Sequence, residues 1–225
     1  MQKLIFASIS CALLAAIFSV SAFAEDATPP SVCAEWKSGV GIDTKALDKL
    51  AKNAASEKLA NGLLYTKNQF VVLLGKDLAA AKDVLANSKD KLPKTKKGQV
   101  DLEDVTLNGF KLSGLNLDNV NLEGAEMNGA DLSGSTLRGA SIYKAELEGA
   151  NLNNTDLSFA NAAKAELNNA SLCQASLTSA ELEDAVVLGA YLKGAKLDRA
   201  RNIPRVIYLN AENVLHYGLP VPPEK

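Results

Sequence analysis

The chain has 225 residues, 47% of them hydrophobic but only 5% aromatic, with one histidine (His216), one tryptophan (Trp36) and three cysteines. That length holds one or two domains with a real core. Lys and Arg number 24 against 26 Asp and Glu, a net charge of −2 that marks no nucleic-acid binder, and a lone histidine excludes most His-based catalysis and His-rich metal sites within one chain; carboxylate chemistry survives these counts.

In chain order, residues 1–24 read as a signal peptide. Lys3 supplies a positive start, Leu4 to Val20 is mostly apolar, and Ala22-Phe23-Ala24 is the small-x-small pattern of a cleavage site. The alternative is an uncleaved N-terminal anchor. Cleavage would start the mature chain at Glu25 in an exported, oxidising compartment, periplasmic or comparable, with Cys33 and Cys173 as its cysteines. No later stretch reaches the ~18 apolar residues of a membrane span, so no stable membrane insertion is expected after cleavage.

Residues 25–99 form an irregular leader, a helical region and a linker. The leader, 25–42, is rich in Pro, Gly and Ser. Asp43 or Thr44 can cap a helix that carries Leu47, Leu50, Ala51 and Ala54 at helical spacing, with Gly62 as a stop. A second helical stretch runs from about Thr66 to Ser88 with Phe70, Leu74, Leu78, Ala81 and Leu85 on one face, and Gly75 is placed to split it. Residues 90–99, polar and containing Pro93, read as a linker.

From Val100 the period changes to five. Leu102, Leu107, Leu112, Leu117, Leu122, Met127 and their successors to Leu197 recur at every fifth residue, with Ala162 in place of leucine once. Two residues before each stands a smaller inward residue, which settles to alanine from Ala160 to Ala200. A helix cannot use this period, because five residues advance it by a net ~140° and the leucines spiral around it. A strand alternates with period two, so a pattern of in, out, in, out, out breaks alternation once per repeat and calls for a bend. Asn-Gly, Ser-Gly, Glu-Gly and Lys-Gly pairs stand at many of these bends, where glycine lowers the cost of turning. Short strands joined by regular bends build a stacked solenoid.

Strings such as Ala130-Asp131-Leu132-Ser133-Gly134 and Ala150-Asn151-Leu152-Asn153-Asn154 resemble the pentapeptide-repeat family. The resemblance implies an all-β repeat solenoid over 100–200: a right-handed quadrilateral parallel β-helix with four repeats per coil, about five coils and roughly 24 Å of rod at strand spacing. Its open ends need covering. The helical region before residue 100 is the expected N-terminal cap, and residues 201–225, with Ile203, Ile207, Leu215 and Tyr217, the expected C-terminal cap and tail.

Stacking at twenty residues brings Glu126, Glu146 and Glu166 into one column beside Glu148, the candidate interaction face. The repeat region holds 15 acidic and 7 basic residues, net −8, whereas residues 25–99 hold 9 and 13, net +4. A cation or a basic partner would suit that face; the plainer reading is a solvated surface partly neutralised by Lys144 and Lys164. Cys173, outward after Leu172, can pair with Cys33, and both the bridge and two separate thiols stay open. Outward Tyr143, Phe159, Leu188 and Tyr191 break the polar surface, the last two expected to lie beneath the leader or tail.

No phosphate loop, zinc spacing or nucleophile elbow occurs. The reading is therefore an exported, non-catalytic protein without cofactor or metal, a rigid interaction surface for an unidentified protein partner and not for nucleic acid. Some members of the resembled family mimic DNA and bind type II topoisomerases; export would separate this chain from that target. A carboxylate hydrolase would need a pocket between the helical front and the rod.

Overall fold

A computed structural model describes Trp36, residues 39–60 and residues 62–204. The expected signal peptide, Cys33, most of the leader and the tail from residue 205, with His216, lie outside the described residues.

The helices form where caps and spacing favour them. Asp43 accepts hydrogen bonds from the backbone amides of Lys45 and Ala46 and opens α1, Thr44–Ala54. Thr66 and Gln69 form a reciprocal capping box that opens α2, Lys67–Lys76. The expected split of the second stretch occurs two residues after Gly75, at Asp77, whose carboxylate accepts from Ala80 N and opens α3, Leu78–Asn87. Gly75 serves close approach instead: a Cβ there would stand 2.7 Å from Leu47 Cδ2 and 3.0 Å from the Phe110 ring. The linker is ordered. A 3₁₀ turn spans Lys89–Lys91, Leu92 is fully buried, and Lys94 pairs antiparallel with Val100.

Residues 100–201 stack as a parallel β-helix with twenty residues per turn. Parallel bridges join Asp101 to Asn121, Asn121 to Ser141, Ser141 to Asn161, Asn161 to Glu181 and Glu181 to Arg201, and the other three faces follow the same interval. Each repeat contributes a single bridged residue rather than the short strand expected, because bends five residues apart leave only one residue per face in ladder register.

The repeat's hydrogen bonding explains its composition. In the repeat beginning at Ala125, Glu126 N donates to Val105 O one turn below at 2.9 Å, Met127 N donates to Glu146 O one turn above at 2.7 Å, and Gly129 N donates upward to Glu148 O at 2.8 Å. Ala125 N and Ala130 N close the turns onto Leu122 O and Met127 O. The fourth residue's amide is left over, and Asn or Asp side chains commonly take it. The acceptor lies either two residues earlier, as Asp131 for Ser133 and Asn151 for Asn153, or one turn below, as Asp118 for Arg138 and Asn168 for Leu188. A buried amide without a partner costs about 1–3 kcal/mol, so these side chains are part of the scaffold.

The fifth residue is left-handed throughout, including Asp104, Asn119, Lys144 and Phe159 at φ 56, 56, 56 and 63°. Glycine is therefore not obligatory at the bend, although for Phe159 the conformation costs roughly 1–2 kcal/mol. Inside, leucines of one register and alanines of the other join the apolar faces of α1, α2 and α3 in one core running from Leu47 to Leu197. Lys67 ties α2 to the first turn, 3.2 Å from Asp101 and donating to Glu103 O at 3.1 Å.

Candidate interaction face

Bridges connect Thr106 to Glu126, Glu126 to Glu146, Glu146 to Glu166 and Glu166 to Val186. The repeat thus brings Glu126, Glu146 and Glu166 into one column, one strand spacing of about 4.8 Å apart, with Glu148 beside them. All four are exposed. Among the described residues, ion pairs form elsewhere, at Lys67–Asp101, Lys76–Asp48, Arg138–Asp156 and Arg201–Glu181, and none reaches this face.

Lys144 and Lys164 form no ion pair with these glutamates among the described residues. Both amines sit over the Tyr143 ring, 5.1 and 6.0 Å from its centroid. Their left-handed backbone at the bend turns them toward the preceding face, where a ring quadrupole attracts a cation. Glu126 and Glu146 are steadied by neutral donors. Asn108 Nδ2 and Thr106 Oγ1 donate to Glu126 at 3.1 and 3.3 Å, and Asn128 Nδ2 donates to Glu146 at 3.0 Å. The same asparagines accept the left-over amides one turn up, Asn108 from Asn128 N at 2.7 Å and Asn128 from Glu148 N at 2.8 Å.

Sequence reasoning passed over Thr106, Asn108 and Asn128. Their signal is the Glu-Met-Asn and Thr-Leu-Asn spelling, which places an amide eighteen residues before the next glutamate. Glu148 interrupts this series. A carboxylate stands where an amide would face Glu166, so like charges meet on the diagonal, an unfavourable pairing.

The adjoining face is covered. Asn151, Asn153, Ser171 and Cys173 point outward from the coil yet are buried, Cys173 to 1% exposure. Asn153 Oδ1 accepts from Ser171 Oγ at 2.7 Å and Cys173 N at 2.9 Å. Cys33, the candidate partner of Cys173, lies outside the described residues. Two points of the leader sit along the corner beside this face. Trp36 Nε1 donates to Gly149 O at 3.0 Å. Gly109, left-handed at φ +69°, lies so near Val40 and Gly41 that a Cβ would be 2.5 Å from Gly41 C. Leu188 and Tyr191, expected to be covered, are 67% and 49% exposed.

A cleft of about 530 Å³ separates α1 and α2 from the first turn, so the concavity that a hydrolase would need does exist. Leu47, Val71, Val105 and Phe110 form its floor, and Asp43, Lys67, Glu103 and Asp104 its rim. Asp43 is committed to capping α1 and Lys67 to Asp101. Among the described residues, no group of three or more His, Cys, Asp or Glu is placed to hold a metal ion, and no helix is long and apolar enough to cross a membrane.

Comparison with known proteins agrees with the five-residue period. The family model for pentapeptide repeats matches eight copies over residues 100–139, 140–178 and 155–187, and with it comes the right-handed β-helix. Similar solved structures include a pentapeptide repeat protein from Nostoc, 33% identical over 49% of this chain and 82% of its own, with a TM-score of 0.32. One from the Arabidopsis thaliana thylakoid lumen is 24% identical over 49% of this chain and 77% of its own, TM-score 0.47. QnrB1, a plasmid-mediated fluoroquinolone resistance protein, is 17% identical over 45% and 62%, TM-score 0.22. No curated protein matches the chain.

Proposed function

Because the chain belongs to the pentapeptide-repeat family, generally non-catalytic structural or binding proteins, we propose that it is an exported scaffold whose acidic face, Glu126, Glu146, Glu148 and Glu166, docks a basic protein partner. The observation that carries this reading is the exposed column of glutamates, of which Glu126 and Glu146 accept from neutral amides and none forms an ion pair among the described residues. Stacked carboxylates repel; a cationic partner relieves that repulsion, and complementary charge speeds encounter and suppresses wrong partners. In this reading the rod has five coils, the helices cap its first turn, and residues 201–225 cap its last.

Export also gives the cysteines a role. Cleavage after Ala24 removes Cys11, which leaves Cys33 as the partner of Cys173 in the mature chain. The contact of Trp36 with Gly149 supports this pairing: three residues reach about 10 Å when extended, enough to climb one further turn. The bond would pin the leader to the rod and close a long loop, a constraint of the kind that disfavours the unfolded chain.

Cell fractionation with N-terminal sequencing tests export; a processed chain starting at Glu25 outside the cytoplasm is expected, and an unprocessed cytoplasmic chain overturns it. The cytoplasmic outcome would favour the rival reading, a DNA-mimicking modulator of a type II topoisomerase. Crosslinking in that compartment, with the wild type and with all four glutamates changed to glutamine, tests the face. Equal recovery of the same partner by both proteins overturns it.

A further inference from the structure

We infer that the partner is a basic segment with one large apolar side chain, that this side chain seats in the cleft between α1, α2 and the first turn, and that the segment's cations run up the Glu126–Glu146–Glu166 column. This rests on the acidic-face reading and adds the anchor to it. The cleft has the size of a ligand pocket, about 530 Å³ against roughly 300–1,000 Å³ for such sites. Its floor of Leu47, Val71, Val105 and Phe110 is apolar. Among the described residues its one cation, Lys67, is held by Asp101 and Glu103 O, so the rim left to a visitor is that of Glu103 and Asp104.

Cleft and column are continuous. Thr106 and Asn108 line the cleft, and both donate to Glu126. From Glu126 to Glu166 is two strand spacings, about 10 Å, the length of roughly three extended residues. A short segment therefore reaches from anchor to last carboxylate. A small amine would answer the rim and leave the column uncompensated, which is why the charge pattern favours a peptide. Buried anchors dominate affinity at such interfaces, and exposed charges set the encounter rate and its salt dependence.

The test uses the full mature chain and fluorescein-labelled acetyl-Trp-Gly-Lys-Arg-Lys amide, read by anisotropy at low and physiological salt. Replacing the probe's tryptophan by serine is expected to weaken binding about tenfold, as is filling the cleft with Thr106→Trp from an exposed position. Glu103→Gln, a milder rim change, should cost about threefold. Joint Glu146→Gln and Glu166→Gln should cost about fivefold and flatten the salt dependence. If the column changes weaken binding while the serine probe and both cleft variants do not, the acidic face stands and the anchor is overturned. If only the cleft changes matter, the cleft takes an apolar cation by itself and both readings fall. A wild-type chain that does not bind the probe overturns the inference. Should Thr106→Trp not fold, the serine probe and Glu103→Gln decide the same question.

Discussion

The helical front and the repeat rod solve the same problem by opposite means. In the front, each element depends on particular side chains: Asp43, Thr66 and Asp77 open the helices, and Gly75 lets Leu47 and Phe110 approach. In the rod no single residue has that standing, because one hydrogen-bond scheme is repeated turn after turn and the core leucines are interchangeable in role. The contrast teaches that a period can replace specific capping, provided that asparagine and aspartate supply acceptors for the amides that stacking leaves over.

The largest expected effect lies in the rod. Leu147, fully buried at mid-length, should cost about 2–5 kcal/mol when changed to alanine, measured by urea unfolding with Trp36 fluorescence as reporter. A negligible cost would show that neighbouring turns collapse onto the gap. At the junction the sign is the test. Gly→Ala within a helix ordinarily stabilises by about 1 kcal/mol, but in α2 the Gly75→Ala methyl would press on Leu47 and Phe110. Destabilisation of roughly 1–3 kcal/mol is expected, and a stabilised variant would mean that front and rod are less tightly packed than this contact implies.

A smaller gain should come from Phe159→Asn. The position is left-handed, asparagine tolerates that conformation, and the ring's cation–π contact with Arg138 at 5.9 Å is exposed. The thermal midpoint should rise by the equivalent of about 0.5–1 kcal/mol; a fall would mean that the ring contributes more than its strain costs.

The smallest effect is pH dependence. Burial acts to raise the Asp156 carboxyl, but hydrogen bonds from Ser158 and the Arg138 guanidinium hold it below the usual carboxylate range. In the front, Lys76 lowers Asp48, and hydrogen bonds from Thr66 and Asn68 lower Glu57. A carboxyl depressed in the folded state contributes stability above its unfolded pKa, and that contribution is lost as pH falls through the folded value. Both regions should therefore weaken on acidification below about pH 4. Arg138→Gln should remove part of the rod's share, no more than about 1 kcal/mol for so exposed a pair, seen as a slightly flatter stability–pH curve. An unchanged curve would remove the Arg138 pair from the account and leave Asp156 to Ser158.

Much of the rod was legible in advance. The five-residue period sorts inward from outward positions and locates every bend, and the four repeats per coil that the family resemblance implies bring Glu126, Glu146 and Glu166 together. The candidate face was legible to the same extent, down to its column but not its partners. Lys144 and Lys164 looked like counterions by proximity in sequence, yet the bend turns them onto Tyr143. The asparagine donors act across eighteen residues, a relation visible only once the turn length and the side-chain directions are both known.

Periodicity, caps and charge distribution were thus determined by the sequence itself, since each follows from residues close in the chain or from one fixed interval. Only the tertiary structure decided the rest: that Cys173 is buried on an outward face, that Gly75 is a contact rather than a break, and that a cleft opens where α1 and α2 meet the first turn. These depend on how a non-repeating segment lies against a repeating one, and no period relates the two; packing of particular surfaces, Leu47 and Gly75 against Phe110 and Val40 and Gly41 against Gly109, sets that placement.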